Sequence, residues 1–369
     1  MPHVDVDTPT GPIELHYSIA TPTNPSSTSG IVPHLPCILF LHSGYSGHEA
    51  FEAQFSDPQL RYSFNLIGVD MRGYGLTRGR ITQEEYCPAD SADDVYRFLK
   101  TLDLPPVHVF GLAMGCCVAL ELASAHPESV CSLTLCSPLP ATELEDIAAG
   151  RLEVFNLWVQ AFDHDGRGRG PPGGDHATLE DLTIGIQQLC FNNQRNSLTD
   201  ALSKNSLITA SRNRAGTPQA VKDTYHATVG WFLKRRPLPR EALARIQCSV
   251  RLIHCEDDVA YPVQYTEDLE DRLRDAGIAD VELVEVPGPH YGSVVNPQAI
   301  NPILLEHALH ASSSSSSTGA DNGTGNGTQN HHQAPPTDCK KMTTPFTTRL
   351  AEYGYNPNED EDDFVECYL

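Results

Sequence analysis

Gly111-Leu112-Ala113-Met114-Gly115 restricts the local path of this chain more tightly than any other stretch. An apolar, strand-like run, Val107-His108-Val109-Phe110, leads into it, and a helix-like run, Cys116 to Ala125, leaves it. A strand that passes into a helix over so few residues needs a sharp turn. Glycines on either side of Ala113 remove the Cβ atoms that would collide there. Strand, tight turn and helix together are the building unit of a parallel sheet covered by helices.

The rest of the first 140 residues repeats that unit. Candidate strands are Ile13–Ile19, Cys37–His42, Phe64–Val69, Val107–Phe110 and Ser132–Leu135. Candidate helices are Ala92–Leu102, with Val95, Phe98, Leu99 and Leu102 at helical spacing, and Met114–Ala125. Short apolar strands alternating with amphipathic helices predict an α/β fold, a mostly parallel sheet flanked by helices. After Pro138-Leu139-Pro140 the pattern becomes helical: Glu145–Phe162, Leu179–Asn192, Ser197–Ala210 and Gln219–Leu233, interrupted by a Gly/Pro-rich loop from Asp165 to Asp175. Strands return at Val250–His254 and Val281–Val286 around a helix at Val263–Ala276, and a last helix is expected at Pro297–His310. The expected organisation is therefore a sheet domain in two parts, 1–140 and 246–311, with a helical insertion, 141–245, between them. Six serines, Ser312–Ser317, a Gly/Asn/Thr-rich stretch and the acidic run Glu359–Asp363 make 312–369 an expected disordered tail.

A net charge of −23 repels phosphates, which argues against nucleic acid and anionic membrane surfaces as partners. No apolar stretch reaches the ~20 residues of a membrane span, and the N-terminus lacks the basic and apolar regions of a secretory leader. These features lead to an expectation of a cytoplasmic protein with reduced thiols. The eleven cysteines are scattered without a C-x-x-C pair, so neither a metal nor a cofactor is expected. A protein partner would have only the tail and its aromatic residues to recommend it.

Four segments carry chemistry. Leu39-Phe40-Leu41-His42-Ser43-Gly44-Tyr45 is a strand ending in a His-x-Gly loop, where a backbone N–H, that of Gly44, can bind an oxyanion. Asp70-Met71-Arg72-Gly73-Tyr74-Gly75 is a glycine-rich turn. The Ala113 turn offers the N–H of Met114 as a second oxyanion donor, which survives any change of side chain. Asp258, in Cys255-Glu256-Asp257-Asp258-Val259-Ala260-Tyr261-Pro262, and His290, in Pro287-Gly288-Pro289-His290, follow successive late strands. At the ends of neighbouring parallel strands a carboxylate can orient an imidazole while the other ring nitrogen takes a proton. Asp257 competes with Asp258. His42 is better explained by structural hydrogen bonds than by catalysis, and His254 by core packing. Ser43, Tyr45, Trp158 and Trp231 are candidates for substrate contact, the two tryptophans otherwise packing the insertion.

Taken together, these segments resemble the α/β-hydrolase superfamily, in its lidded branch with a G-x-S-x-G nucleophile elbow, over roughly Gly11 to Ala311. The resemblance implies an α/β-hydrolase fold with an inserted helical lid, Asp258 as the triad acid and His290 as the triad base. Ser43, Cys116 and Cys255 stand where that family often has glycine. The severe departure is Ala113, which occupies the nucleophile position without a serine hydroxyl. A methyl group cannot attack a carbonyl, so three readings remain. One is an enzyme acting on a small ester, lactone or related carbonyl metabolite through Asp258–His290 and the oxyanion donors. Another is a pseudoenzyme or small-molecule-binding protein. The third is a serine hydrolase with a Ser→Ala substrate-trap change, or with a substitute nucleophile among Ser43, Ser137, Cys116 and Cys117.

Overall fold

The computed structural model describes residues 2–25, 30–81, 84–162, 174–215, 217–317, 341–358 and 365–366. Its frame is a sheet of β1 (His3–Val6), β2 (Ile13–Ala20), β3 (Cys37–Leu41), β4 (Asn65–Val69), β5 (Val107–Leu112), β6 (Val130–Cys136), β7 (Ser249–Cys255) and β8 (Val281–Val286). The strand order is β1-β2-β4-β3-β5-β6-β7-β8. From β4 to β8 all pairings are parallel, whereas β1 and β2 run antiparallel at one edge. Every residue of β3, β4 and β5 is buried, as expected of parallel strands covered on both faces.

The helices that cover the sheet include α1 (Pro88–Thr101), α2 (Met114–Ala125), α6 (Gln264–Asp275) and α7 (Pro297–Ser317). Between β6 and β7 the chain forms α3 (Glu145–Phe162), α4 (His176–Phe191) and α5 (Ser197–Arg214), followed by shorter turns. Asp175 caps α4 through its side chain and Asn196 caps α5 in the same way. Trp158, Ala161, Phe162, Leu179 and Leu182 give the α3–α4 pair a small apolar core of its own.

Several elements depart from the sequence expectation. β1 is not among the expected strands because four residues are too few to carry a strand pattern, and only Val6 is buried. The helix expected over 219–233 is present but widens: Pro218–Tyr225 passes through a π-type segment at His226–Gly230 into Trp231–Leu233. Most of the Gly/Pro-rich loop, 163–173, lies outside the described residues. The last helix does not stop at His310 but runs on to Ser317, with the Ser312 hydroxyl 2.9 Å from His108 Nε2.

The larger correction concerns the tail expected to be disordered from 312 onward. Residues 341–358 dock on the domain, because Phe346 and Leu350 are only 2% and 0% exposed. Phe346 packs on Phe55 and edge-on to His48. The Met342 N–H donates to the Ser56 carbonyl at 2.8 Å, and Arg61 donates to the Thr343 carbonyl at 3.1 Å. Thr347 donates to Glu52 at 2.9 Å, and Thr344 donates to the other carboxylate oxygen. On the α5 side, Arg349 donates to Thr209 at 2.6 Å. Burial of two large apolar side chains outweighs the polar composition of the surrounding tail. Val365–Glu366 also pairs antiparallel with Gln194–Arg195.

Candidate active site

The sharp turn at Ala113 is present. Ala113 has φ 48° and ψ −101°, a conformation that costs a non-glycine residue on the order of 1–3 kcal/mol. Its N–H donates to the Cys136 carbonyl at 2.9 Å, and its carbonyl accepts from the Cys116 N–H at 3.0 Å. A Cβ on Gly115 would sit 2.0 Å from the Leu41 carbonyl oxygen, and one on Gly111 would sit 2.8 Å from the Cys116 nitrogen. Tyr45 and Ser137, beyond the ends of β3 and β6, also have positive φ, 61° and 50°. Strained backbone thus gathers at the carboxyl edge of the central strands, where parallel α/β sheets place their ligands.

Asp258 and His290 meet at that edge. His290 Nδ1 lies 2.6 Å from Asp258 Oδ2, and both residues are buried. Asp258 Oδ1 accepts from the Ala260 and Tyr261 N–H groups at 2.9 and 3.0 Å. Burial opposes ionisation of this carboxyl, but His290 and the two backbone donors outweigh it and hold the group below the usual carboxylate range. With Nδ1 engaged, Nε2 is the nitrogen left for proton transfer. Asp257 instead accepts from the Gly288 N–H at 3.2 Å and has an exposed side chain.

Ala113 and His290 line a small cavity with Ser43, Gly44, Tyr45 and Tyr291. Met114 is the first residue of α2, so its N–H has no acceptor within the helix. Tyr291 donates its hydroxyl to the Gly44 carbonyl, an unusually close contact that holds the loop after β3. A second, larger and mostly apolar chamber shares Tyr45, Cys190 and Tyr291 with the first. Trp158 lines this chamber, and its indole nitrogen has no hydrogen-bond partner among the described residues. Trp231 is corrected: its indole donates to Ser91 at 2.9 Å, and it lines neither space. Phe232, its neighbour, faces the small cavity instead.

Sequence reasoning missed Arg151, Cys190 and Tyr291 at this cavity. Arg151 carried no usable signal, since an arginine in an amphipathic helix reads as a solvated charge. Tyr291 directly follows His290, and that adjacency is the signal that could have found it. Cys190 lines the cavity, but burial pushes its thiol up to about 12, which leaves it protonated near neutral pH. Of the substitute nucleophiles named from the sequence, Ser43 lines the cavity, and the other three are engaged or protonated. Ser137 donates to Cys255 Sγ at 3.4 Å, and Cys116 donates to the Gly111 and Cys136 carbonyls at 3.2 Å. Burial raises the Cys117 thiol as well.

His42 is a structural residue. Its Nε2 accepts from the Met71 N–H at 2.9 Å and its Nδ1 donates to the Ser43 carbonyl at 2.7 Å. The Asp70 turn is a buried hub. Asp70 accepts from His16 Nδ1, His48 Nδ1 and the N–H groups of His48 and Leu76, all at 2.6–2.8 Å. These three side chains are close enough to hold a metal ion, but hydrogen bonding accounts for their arrangement.

Residues 36–172 match the alpha/beta hydrolase fold family. A thermophilic esterase from Thermogutta terrifontis superposes with a TM-score of 0.59 at 18% identity, covering 84% of this chain and 99% of the esterase. This chain is an α/β-hydrolase-fold protein. Among curated relatives, the AB hydrolase superfamily protein YisY of Bacillus subtilis is 36% identical over 89 residues, 24% of this chain. The α/β-hydrolase-fold chain spans 32% of the length of YisY, and less than half the length of the next relatives it matches. A putative carbamate hydrolase, RutD, of Cronobacter turicensis aligns further, over 66% of this chain and 81% of its own length, at 25% identity.

Proposed function

We propose that this chain is a hydrolase-type enzyme for a small ester, lactone or related carbonyl compound, working without a covalent acyl-enzyme. The observation that carries the reading is the 2.6 Å Asp258–His290 pair beside a strained elbow whose hydroxyl is missing. In this scheme His290 Nε2 takes a proton from a water molecule as its oxygen bonds to the substrate carbonyl carbon. The carbonyl electron pair moves onto oxygen, where the N–H groups of Gly44 and Met114 receive it. Collapse of the tetrahedral species expels the alkoxide, which takes the proton back from His290. Acid and alcohol are the products, or one hydroxy acid from a lactone. Asp258 keeps the ring in the tautomer that makes Nε2 the base. The helical block over the cavity serves as the lid.

A second reading rests on the methyl of Ala113 itself. An oxyanion site and a positioned histidine without a nucleophile also suit a protein that only binds its ligand.

Hydrolysis of short-chain nitrophenyl esters by this chain, Ala113→Ser and His290→Ala separates the two. The enzyme reading expects slow turnover by the unmodified chain that falls about 100-fold or more in His290→Ala. Activity confined to Ala113→Ser would instead mark a disarmed serine hydrolase. Turnover by the unmodified chain that ignores His290→Ala would overturn the mechanism.

A further inference from the structure

Arg151 and its partners give the reactive cavity a fixed positive charge. Arg151 is 5% exposed, sits on α3, and lines the same cavity as Ala113 and His290. Its Nε donates to Glu143 Oε2 at 2.7 Å, its Nη2 lies 3.3 Å from the Tyr261 hydroxyl, and its guanidinium centre lies 3.4 Å above the Phe232 ring. Glu143 is not its alone. Arg235, 2% exposed, donates to Glu143 Oε1 at 2.9 Å, and the Tyr261 hydroxyl donates to the same oxygen at 3.0 Å. Two buried guanidinium groups therefore share one carboxylate, which leaves the group one positive charge in excess.

An unbalanced buried cation is expensive, because the surrounding apolar walls replace little of its lost hydration. Leu139, Leu189 and Phe232 line this cavity, and burial raises the phenols of Tyr45 and Tyr291, so neither supplies an anion near neutral pH. Asp258 is engaged by His290 and two backbone donors. Asp258 is thus ionised but committed to those donors, so a carboxylate on what the cavity binds would supply the negative charge that the Arg151–Arg235–Glu143 cluster itself lacks. The acidic exterior does not prevent this, since the surface field is screened within about 8 Å at physiological salt.

We propose that Arg151 is a specificity-determining residue that receives a carboxylate of the cavity's ligand. The inference refines the hydrolase reading given above: the substrate is an ester or lactone carrying a second, ionised carboxylate. The guanidinium N–H groups of Arg151 not taken by Glu143 and Tyr261 can donate to a carboxylate oxygen. The group that must not be ionised, the scissile carbonyl, lies toward Ala113 and His290.

Binding of matched pairs, benzoate against benzamide and hexanoate against hexanamide, tests this by NMR titration without any turnover. The expected result is that each acid binds more tightly than its amide, and that Arg151→Met weakens the acids by about 10- to 100-fold while leaving the amides unchanged. Arg151→Met still leaves Glu143 paired with Arg235, and a thermal melt checks that it folds. Glu143→Gln gives the opposite sign: it raises the excess charge, so the acids should bind more tightly. A purely structural Arg151, tying α3 to the core, would not discriminate acid from amide. Equal binding of acid and amide, absence of binding by both, or acid affinities unmoved in both variants would overturn the proposal. Acid selectivity through Arg151 without ester turnover would leave it standing and remove the hydrolase reading. Turnover without acid selectivity would do the reverse.

Discussion

His307 ties α7 to the strands that carry the site, and its environment sets a definite pH response. Its Nδ1 lies 2.9 Å from the Thr134 hydroxyl on β6, and its Nε2 lies 2.8 Å from the Ser249 hydroxyl on β7. Burial lowers its pKa to about 4, with Asp280 opposing this only in part. Above the unfolded value near 6.5 the residue is neutral in both states and contributes no pH dependence. As pH falls below that value, the unfolded chain binds a proton that the folded chain refuses. Stability is therefore lost progressively from about 6.5 down to about 4, and is fully present above the unfolded value. At about pH 5 the loss works out to about 2 kcal/mol relative to about pH 8. Urea unfolding of the unmodified chain and His307→Gln at those two pH values isolates the term, because Gln keeps a polar contact and does not titrate. The variant is expected to lose about 2 kcal/mol less than the unmodified chain on acidification. An identical loss in both proteins would refute the argument that burial holds this ring neutral.

Glu52 works in the other direction: burial raises its carboxyl to about 7, with hydrogen bonds from Thr344 and Thr347 only partly opposing this. Its folded pKa is raised, so its contribution is present below the unfolded value near 4.3 and is lost as pH rises through about 7. Glu52→Gln should accordingly raise the melting temperature more at about pH 8 than at about pH 5, and a gain independent of pH would contradict this. Gly115→Ala should destabilise the fold by more than about 3 kcal/mol in chemical denaturation, since the new methyl meets backbone at 2.0 Å. A loss under about 1 kcal/mol would mean that the turn relaxes freely.

The sheet was readable because its strands are short, apolar and separated by turn residues. All seven expected strands recur within two residues of their ends. Asp258 and His290 were readable for a related reason. Parallel strands deliver the residues just beyond their ends to one edge, so sequence position already implies proximity. Arg151 and Cys190 come from α3 and α4, whose placement depends on how helices pack over that edge, and no local pattern encodes that. The docked stretch at 341–358 was hidden in a polar neighbourhood, where Phe346 and Leu350 are too few to stand out by composition.

That docked stretch has a consequence for how the protein can open. It grips the core through Ser56, Glu52 and Arg61, and grips α5 through Thr209 and Lys204. Because it belongs to the same chain, its seating does not depend on protein concentration. A proteolytic cut anywhere from 318 to 340 would change that, making the stretch a separate peptide whose occupancy falls on dilution. The hasp between core and α5 would then release by mass action alone.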